Sequence, residues 1–280
     1  MQSPHGFPPR KVLVPTDMSA ASDSALKYAR HLRERFGSEI AVVHAHYFEL
    51  PAYFSSGQMK DLKRELKRVS RSAADHLRKQ AEPILGALPE IEIIEDTPVQ
   101  AVLDASQTHN ADLIIMGMHG HRGWKRLWMG SVTEQVIRRS RIPVLAVSGD
   151  PSEAPVRRIL CPMNPSDAGR QALEYSAQIS RAFRAHLTVL HVAERGDEPL
   201  NCPLVDEPIK TDCNVEEVNL DGNAAKTIAE ASVSLKPDLI VMGAEQKSAV
   251  MGEFFSSTTS SVMQLAVGPL LVVPKKETYN

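Results

Sequence analysis

No apolar run in this chain approaches the roughly 18–20 residues that a membrane-crossing helix needs, so no membrane partner is expected. The first ten residues, Met1 to Arg10, are proline-rich and polar and lack the apolar core of a secretory leader, which leads us to expect a cytoplasmic address. Cysteine is scarce. Cys161, Cys202 and Cys213 form an odd set without a C-x-x-C pair, which argues against a disulfide scaffold and suits a reducing compartment. Cys161 falls inside an apolar run, where a small buried thiol is the simplest reading; Cys202 and Cys213 lie in a polar segment, where a disulfide or metal role is the weaker one. The P-loop pattern G-x-x-x-x-G-K-[ST] is absent, and no G-x-G-x-x-G follows the first predicted strand, which argues against a dinucleotide site. Nor is there a strong excess of one charge: 32 Lys and Arg against 34 Asp and Glu leave a net charge of −2, with no basic field of the kind that binds nucleic acid. The first 149 residues are mildly basic, +4, and the remainder acidic, −6.

What is present is a duplication. Lys11-Val-Leu-Val-Pro-Thr-Asp17 aligns with Arg158-Ile-Leu-Cys-Pro-Met-Asn164, and Ala41-Val-Val-His44 with Thr188-Val-Leu-His191, both at an offset of 147. Ala111-Asp-Leu-Ile-Ile-Met-Gly117 then matches Pro237-Asp-Leu-Ile-Val-Met-Gly243 at an offset of 126, and Ile142–Val147 resembles Gly268–Val273. The second copy is therefore 21 residues shorter between its second and fourth strands. Repeats of this length are duplicated domains rather than solenoid units. We divide the chain into residues 1–149 and 150–280, with a linker from Ser148 to Pro155.

Within each copy, β-branched runs alternate with amphipathic stretches, the pattern of an α/β domain with a parallel sheet. The first copy predicts strands near 11–15, 40–46, 91–95, 112–117 and 142–147, and helices near 19–36, 58–80, 98–109 and 131–140. The helix at 58–80 sets Leu62, Leu66, Val69, Ala73 and Leu77 against a basic face of Lys60, Lys63, Arg64, Lys67, Arg68 and Arg71, read as solvated. The second copy has no room for that helix, and Glu198 to Cys213, with three prolines, reads as irregular.

In an open parallel sheet, ligands collect at the carboxyl ends of the strands, where the strand order reverses. Three segments should meet there: Pro15-Thr16-Asp17, Ala45-His46, and the stretch from Gly117 to Ser131. The last reads Gly117-Met-His119-Gly120, nine residues, then Gly130-Ser131, and follows the apolar run Leu113–Met116. Glycines there permit close approach of a ligand to the backbone. The helix opening at Gly130 and Ser131 offers N–H groups and a positive dipole end to anionic oxygens. Ser131-Val132-Thr133-Glu134 has the spacing of a capping box. The second copy places Asn164, Gln246 and Ser256 where the first has Asp17, Gly120 and Gly130, while its strands persist. Glycines kept only for the fold would have survived in both copies. This points to one polyphosphate cradle, in the first copy.

These motifs resemble those of the universal stress protein family, over nearly all of both copies. Val14-Pro-Thr-Asp17-Met-Ser19, His44, and G-x2-G-x9-G-S flanked by Met116 and Val132-Thr-Glu are similar to its ATP-binding branch. The resemblance implies two tandem Rossmann-like domains of the adenine nucleotide alpha hydrolase-like kind. Each would be a five-stranded parallel sheet with helices on both faces, paired through their last strands as an intrachain pseudo-dimer; homodimerisation stays open. It implies that Asp17 contacts a ribose and the Ala45 backbone an adenine, while Met116, Gly117, Gly120, Gly130, Ser131 and Val132 hold the phosphates and line the pocket. Pro15, Thr16 and His119 complete the candidate lining. Mg2+ or Mn2+, where one accompanies ATP, would be held chiefly by phosphate oxygens. The second copy resembles members that do not bind nucleotide.

No catalytic residue is assigned. Ten histidines include His44, His46, His119 and His121, yet no H-E-x-x-H or Cys/His ligand spacing occurs. His44 matches His191 in the other copy, so a role in the fold is the simpler account. Phosphoryl transfer needs a base or water-positioning group and charge neutralisation, and Asp17 is the only acid with a clear place. The leading expectation is an ATP-responsive stress regulator that acts through an unidentified protein partner. The alternatives are a slow ATPase or self-phosphorylating phosphotransferase, and a scaffold whose second copy binds a different small molecule.

Overall fold

The computed structural model describes residues 6–47, 56–118, 129–151, 156–194, 203–244, 257–265 and 268–275. The N-terminal half runs β1 (Lys11–Pro15), α1 (Ala20–Phe36), β2 (Glu39–Ala45), α2 (Ser56–Leu85), β3 (Glu90–Ile94), α3 (Pro98–Thr108), β4 (Leu113–Gly117), α4 (Ser131–Arg139) and β5 (Val144–Val147). The C-terminal half repeats the pattern as β6 (Arg158–Pro162), α5 (Asp167–Phe183), β7 (His186–Ala193), α6 (Glu207–Asp212), β8 (Asn214–Asp221), α7 (Ala224–Ser234), β9 (Leu239–Ala244), α8 (Ser257–Leu265) and β10 (Leu270–Pro274). Each predicted strand of the first copy is present within two residues of its expected bounds.

The described strands form one ten-stranded sheet in the order β3-β2-β1-β4-β5-β10-β9-β6-β7-β8. Pairing is parallel within each half. The seam between β5 and β10 is antiparallel, with Leu145 opposite Leu271. The two halves thereby cover two apolar strand edges that would otherwise invite association, and the expected intrachain pairing of the last strands is what the sheet shows.

Strands buried on both faces read as near-continuous apolar runs. Val12 and Val14 belong to the core under α1 and α2, whereas Leu13 belongs to the core under α3 and α4. Both cores continue across the seam: Ile159 and Cys161 join the first, Leu160 and Ile240 the second. At the seam Phe7 packs edge-on to Phe36 of α1 at 5.4 Å and against Phe183 of α5 at 5.8 Å. Its backbone N–H donates to Gln178 Oε1 at 2.6 Å.

Two elements depart from expectation. Helix α2 runs on to Leu85, beyond the predicted end at 80, because Leu77, Ala81 and Leu85 are fully buried at successive turns. Gly86 in the left-handed region, φ 70°, then closes it. Arg64, Lys67, Arg68 and Arg71 stand exposed, and so does Val69, which the periodicity had placed on the buried side. The segment read as irregular between Glu198 and Cys213 contains the six-residue helix α6, with Pro208 in its first turn, where a missing N–H costs nothing. Among the described residues no helix is long and apolar enough to cross a membrane.

Candidate functional site

In each half the strand order reverses between the first and fourth strands, β1 and β4 in one and β6 and β9 in the other. In the N-terminal half this point gathers Pro15 and Thr16 at the end of β1, Ala45 at the end of β2, and Met116 and Gly117 at the end of β4. Pro15, Thr16 and Met116 are buried, Ala45 and Gly117 half-buried, and Asp17 exposed at the rim. Gly130, Ser131 and Val132 open α4 from the other side, tied to β4 by the Gly130 N–H, which donates to the Met118 carbonyl at 2.6 Å. The Thr133 hydroxyl adds a second tie, to the Gly117 carbonyl at 2.8 Å. His119 and Gly120 lie outside the described residues, as do His121, Gln246 and Ser256.

The loop after β1 is built around Asp17. Its Oδ1 accepts from the Ser22 hydroxyl at 2.6 Å and from the Ser19 N–H at 3.1 Å. The Ser22 Oγ in turn accepts the Asp17 N–H at 3.1 Å. Met18 turns the chain with φ 62°, a left-handed conformation that non-glycine residues seldom adopt, and its N–H donates to Thr16 Oγ1 at 2.9 Å. The Thr16 N–H donates to the Val43 carbonyl at 2.9 Å, and His44 Nδ1 lies 2.8 Å from the Thr16 carbonyl. A carbonyl only accepts, so Nδ1 carries a proton and His44 holds the loop against β2.

The second copy keeps the histidine clamp, the backbone tie (Met163 N–H to the Leu190 carbonyl, 2.9 Å) and the serine N-cap (Ser166), and loses the side-chain bonds around the acid. His191 Nδ1 lies 3.1 Å from the Met163 carbonyl, the same contact one repeat on, so His44 serves the fold as the duplication suggested. At the positions of Thr16, Asp17, Met18 and Ser22 stand Met163, Asn164, Pro165 and Gly169. Met163 has no hydroxyl, and Pro165 has no N–H and is locked near φ −65°, so the left-handed turn cannot form. The space that a Cβ would take at Gly169 lies 2.1 Å from the Asn164 carbonyl oxygen, showing that this loop has settled onto α5. Ser22, which the sequence reading passed over, is thus what holds Asp17 outward. Comparing the copies beyond the strand ends would have found it, because Ser22 and Asp17 change together.

Two expectations need correction. Ser131 does not cap α4: the N-cap is Gly130, which has no side chain, and Glu134 turns instead to Arg138, accepting from its Nε at 3.1 Å. The capping box fails because the helix begins one residue earlier in register than its pattern requires, and its N-cap supplies no side chain to the first amides of α4. Gly117 has a different reason to be glycine than ligand approach. A Cβ there would stand 2.7 Å from the backbone of Ala21, and one at Gly243 would stand 2.2 Å from the Ala168 carbonyl oxygen. Both copies need glycine where the helix after the first strand crosses the end of the fourth.

The corresponding place in the C-terminal half is a cavity of about 480 Å³, reached by Asn164, His191, Gly243 and Thr259. Among the described residues no three His, Cys, Asp or Glu groups stand together to bind a metal.

A universal stress protein of Methanocaldococcus jannaschii is 32% identical to this chain over 142 residues, 49% of this chain and 81% of that protein. One from Mycolicibacterium smegmatis is 22% identical over 284 residues, 94% of this chain and 96% of that protein. Among solved structures, a universal stress protein from Archaeoglobus fulgidus shares the fold with a TM-score of 0.77 at 24% identity, covering 96% of this chain and 100% of that one. The sequence model of the universal stress protein family matches residues 9–148 and 205–274, more than half of the chain, and the chain belongs to that family.

Proposed function

We propose that this chain is an ATP-binding universal stress protein, a cytoplasmic regulator with one nucleotide site in its N-terminal half. Residues 1–149 form the binding module and residues 150–280 a module with a degenerate nucleotide motif. The observation that carries this reading is the Asp17 loop: a carboxylate held outward by Ser22 and the Ser19 amide, beside a helix start with no side-chain cap. An exposed acid fixed by two donors is arranged to accept from the hydroxyls of a sugar. The uncapped amides of α4 at Ser131 and Val132 are arranged to donate to phosphate oxygens. The loss of Thr16, Asp17, Met18 and Ser22 together in the second copy supports a ligand role for the set.

A divalent ion with the nucleotide would find one carboxylate, Asp17, at the cradle and no preformed protein cluster among the described residues. Phosphate oxygens would be its chief ligands. Bound, the ion would neutralise phosphate charge, while Asp17 and the α4 amides orient the nucleotide. Family resemblance supports the base contact at Ala45 and the participation of His119 and Gly120.

Mass analysis of gently purified protein should find a bound adenine nucleotide. Calorimetric titration should find one ATP per chain, weakened about tenfold or more by Ser22→Ala, since a hydrogen bond to a charged group contributes about 1.5–3 kcal/mol. Two equal ATP sites would refute the asymmetry between the halves. Steady phosphate release abolished by Asp17→Ala would replace the regulator with an enzyme.

A further inference from the structure

The C-terminal cavity has lost the features of a phosphate cradle without closing. It retains about 480 Å³ at the carboxyl ends of β6, β7 and β9, within the ~300–1,000 Å³ range of small-molecule sites. Its inner wall is apolar, with Val192, Ile228 and Met242 all buried. Its rim carries neutral hydrogen-bonding groups at Asn164, Ser166 and Thr258. The Ser166 hydroxyl donates to Asn164 Oδ1 at 2.7 Å, which leaves Asn164 its amide N–H donors for a ligand, whereas the aspartate at this place in the other copy only accepts. His191 spends Nδ1 on the Met163 carbonyl, which makes its Nε2 an acceptor in the neutral ring.

Charge decides the class of ligand. Among the described residues that line this cavity there is no Lys or Arg, and the one carboxylate is Glu194. That carboxylate is held in place: its Oε1 accepts the N–H of Ala224 at 2.9 Å, at the positive end of α7. A polyphosphate would enter against a fixed negative charge, in the half of the chain that is itself acidic. An uncharged or cationic molecule meets no such opposition.

We propose that the C-terminal half binds a phosphate-free, neutral or cationic small molecule of about nucleoside size. Its apolar ring lies against Val192, Ile228 and Met242, and its hydroxyl or amino groups meet Asn164, Thr258 and Glu194. The chain then carries two ligand sites of opposite electrostatic preference at equivalent places in its repeat. The second site goes beyond the N-terminal ATP reading and does not require it.

Saturation-transfer NMR on the full chain held in saturating ATP tests this, with adenosine as neutral probe, tryptamine as cationic probe and AMP as phosphorylated control. At least one of the first two should bind at least tenfold more tightly than AMP. Ile228→Trp, which fills the apolar wall, should abolish that signal. Should Ile228→Trp fail to fold, Glu194→Lys should shift the preference at least tenfold toward AMP. Absence of binding by both probes, equal binding of AMP, or a signal that survives Ile228→Trp overturns the proposal. Failure of ATP to bind the unaltered chain would count against the N-terminal reading alone, because this site is read through C-terminal substitutions.

Discussion

Adding one methyl group at Gly243 should destabilise this protein as much as or more than adding it at Gly117. The Gly117 Cβ would stand 2.7 Å from Ala21 carbon and oxygen atoms of the backbone, so that α1 must retreat by about 0.7 Å to reach ordinary contact at 3.4 Å. The Gly243 Cβ would stand 2.2 Å from the Ala168 carbonyl oxygen and 2.4 Å from its carbon, requiring about 1.2 Å. Neither neighbour is a flexible side chain that can rotate away. Each belongs to the first turn of a helix packed along its whole length on the sheet. Overpacking of a close-packed interior costs about 1–3 kcal/mol, which places Gly117→Ala near ~2 kcal/mol and Gly243→Ala near ~3 kcal/mol. At ~2–4 °C per kcal/mol for chains of this order, calorimetry should show Gly243→Ala melting about 6–12 °C below the parent. ATP affinity in that variant should be unchanged, since the N-terminal cradle is untouched. A Gly243→Ala melting point within ~1 °C of the parent would refute the argument and return the conserved glycine of the repeat to ligand binding.

Phe7→Ala should cost about 3 kcal/mol in thermal unfolding, the low end for a buried phenylalanine in a strap free to resettle, because the ring is buried against Phe36, Tyr175 and Phe183; a loss below ~1 kcal/mol would deny it a role in joining the halves. Complete burial pushes the Cys161 thiol up to about 12, so native protein should leave Cys161 unalkylated at pH 8 while urea-unfolded protein labels fully, as read by peptide mass analysis. Glu90 is held below its ordinary 4.5 by its hydrogen bond to Lys11, at 2.9 Å, and by the nearby His109. Its contribution is therefore present above that ordinary value and is lost as pH falls through the lower folded one. Glu90→Gln should flatten the acid limb of a stability–pH profile while changing neutral stability by no more than about 1 kcal/mol, as for an exposed pair; an unchanged acid limb would rule out that linkage.

The sequence by itself determined the duplication, the α/β class and most strands, because parallel strands covered on both faces are apolar throughout and the repeat shows four of the five twice; the polar edge strand β8, Asn214–Asp221, was not among them. It also singled out the carboxyl end of the sheet as the candidate site, since the residues that depart between copies sit just beyond strands that persist. It missed the end of α2, where burial of Leu77, Ala81 and Leu85 overrides a proline at 83. It placed the start of α4 correctly at Ser131 but misjudged its cap, which is Gly130 rather than Ser131. A capping pattern is local, whereas a helix start is set by how the chain arrives, here through the Gly130 tie to Met118.

Only the tertiary structure decided what each glycine and polar residue is for. Gly117 and Gly243 answer to a helix crossing a strand end, a contact between segments almost a hundred residues apart in the N-terminal half. Ser22 matters because α1 brings it under Asp17. The difference between a loop that holds an acid outward and one that lies down on its helix follows from Met18 against Pro165 and Ser22 against Gly169. Those residues are legible in the chain, but their consequence is a matter of space and hydrogen bonds that only the folded loop makes explicit.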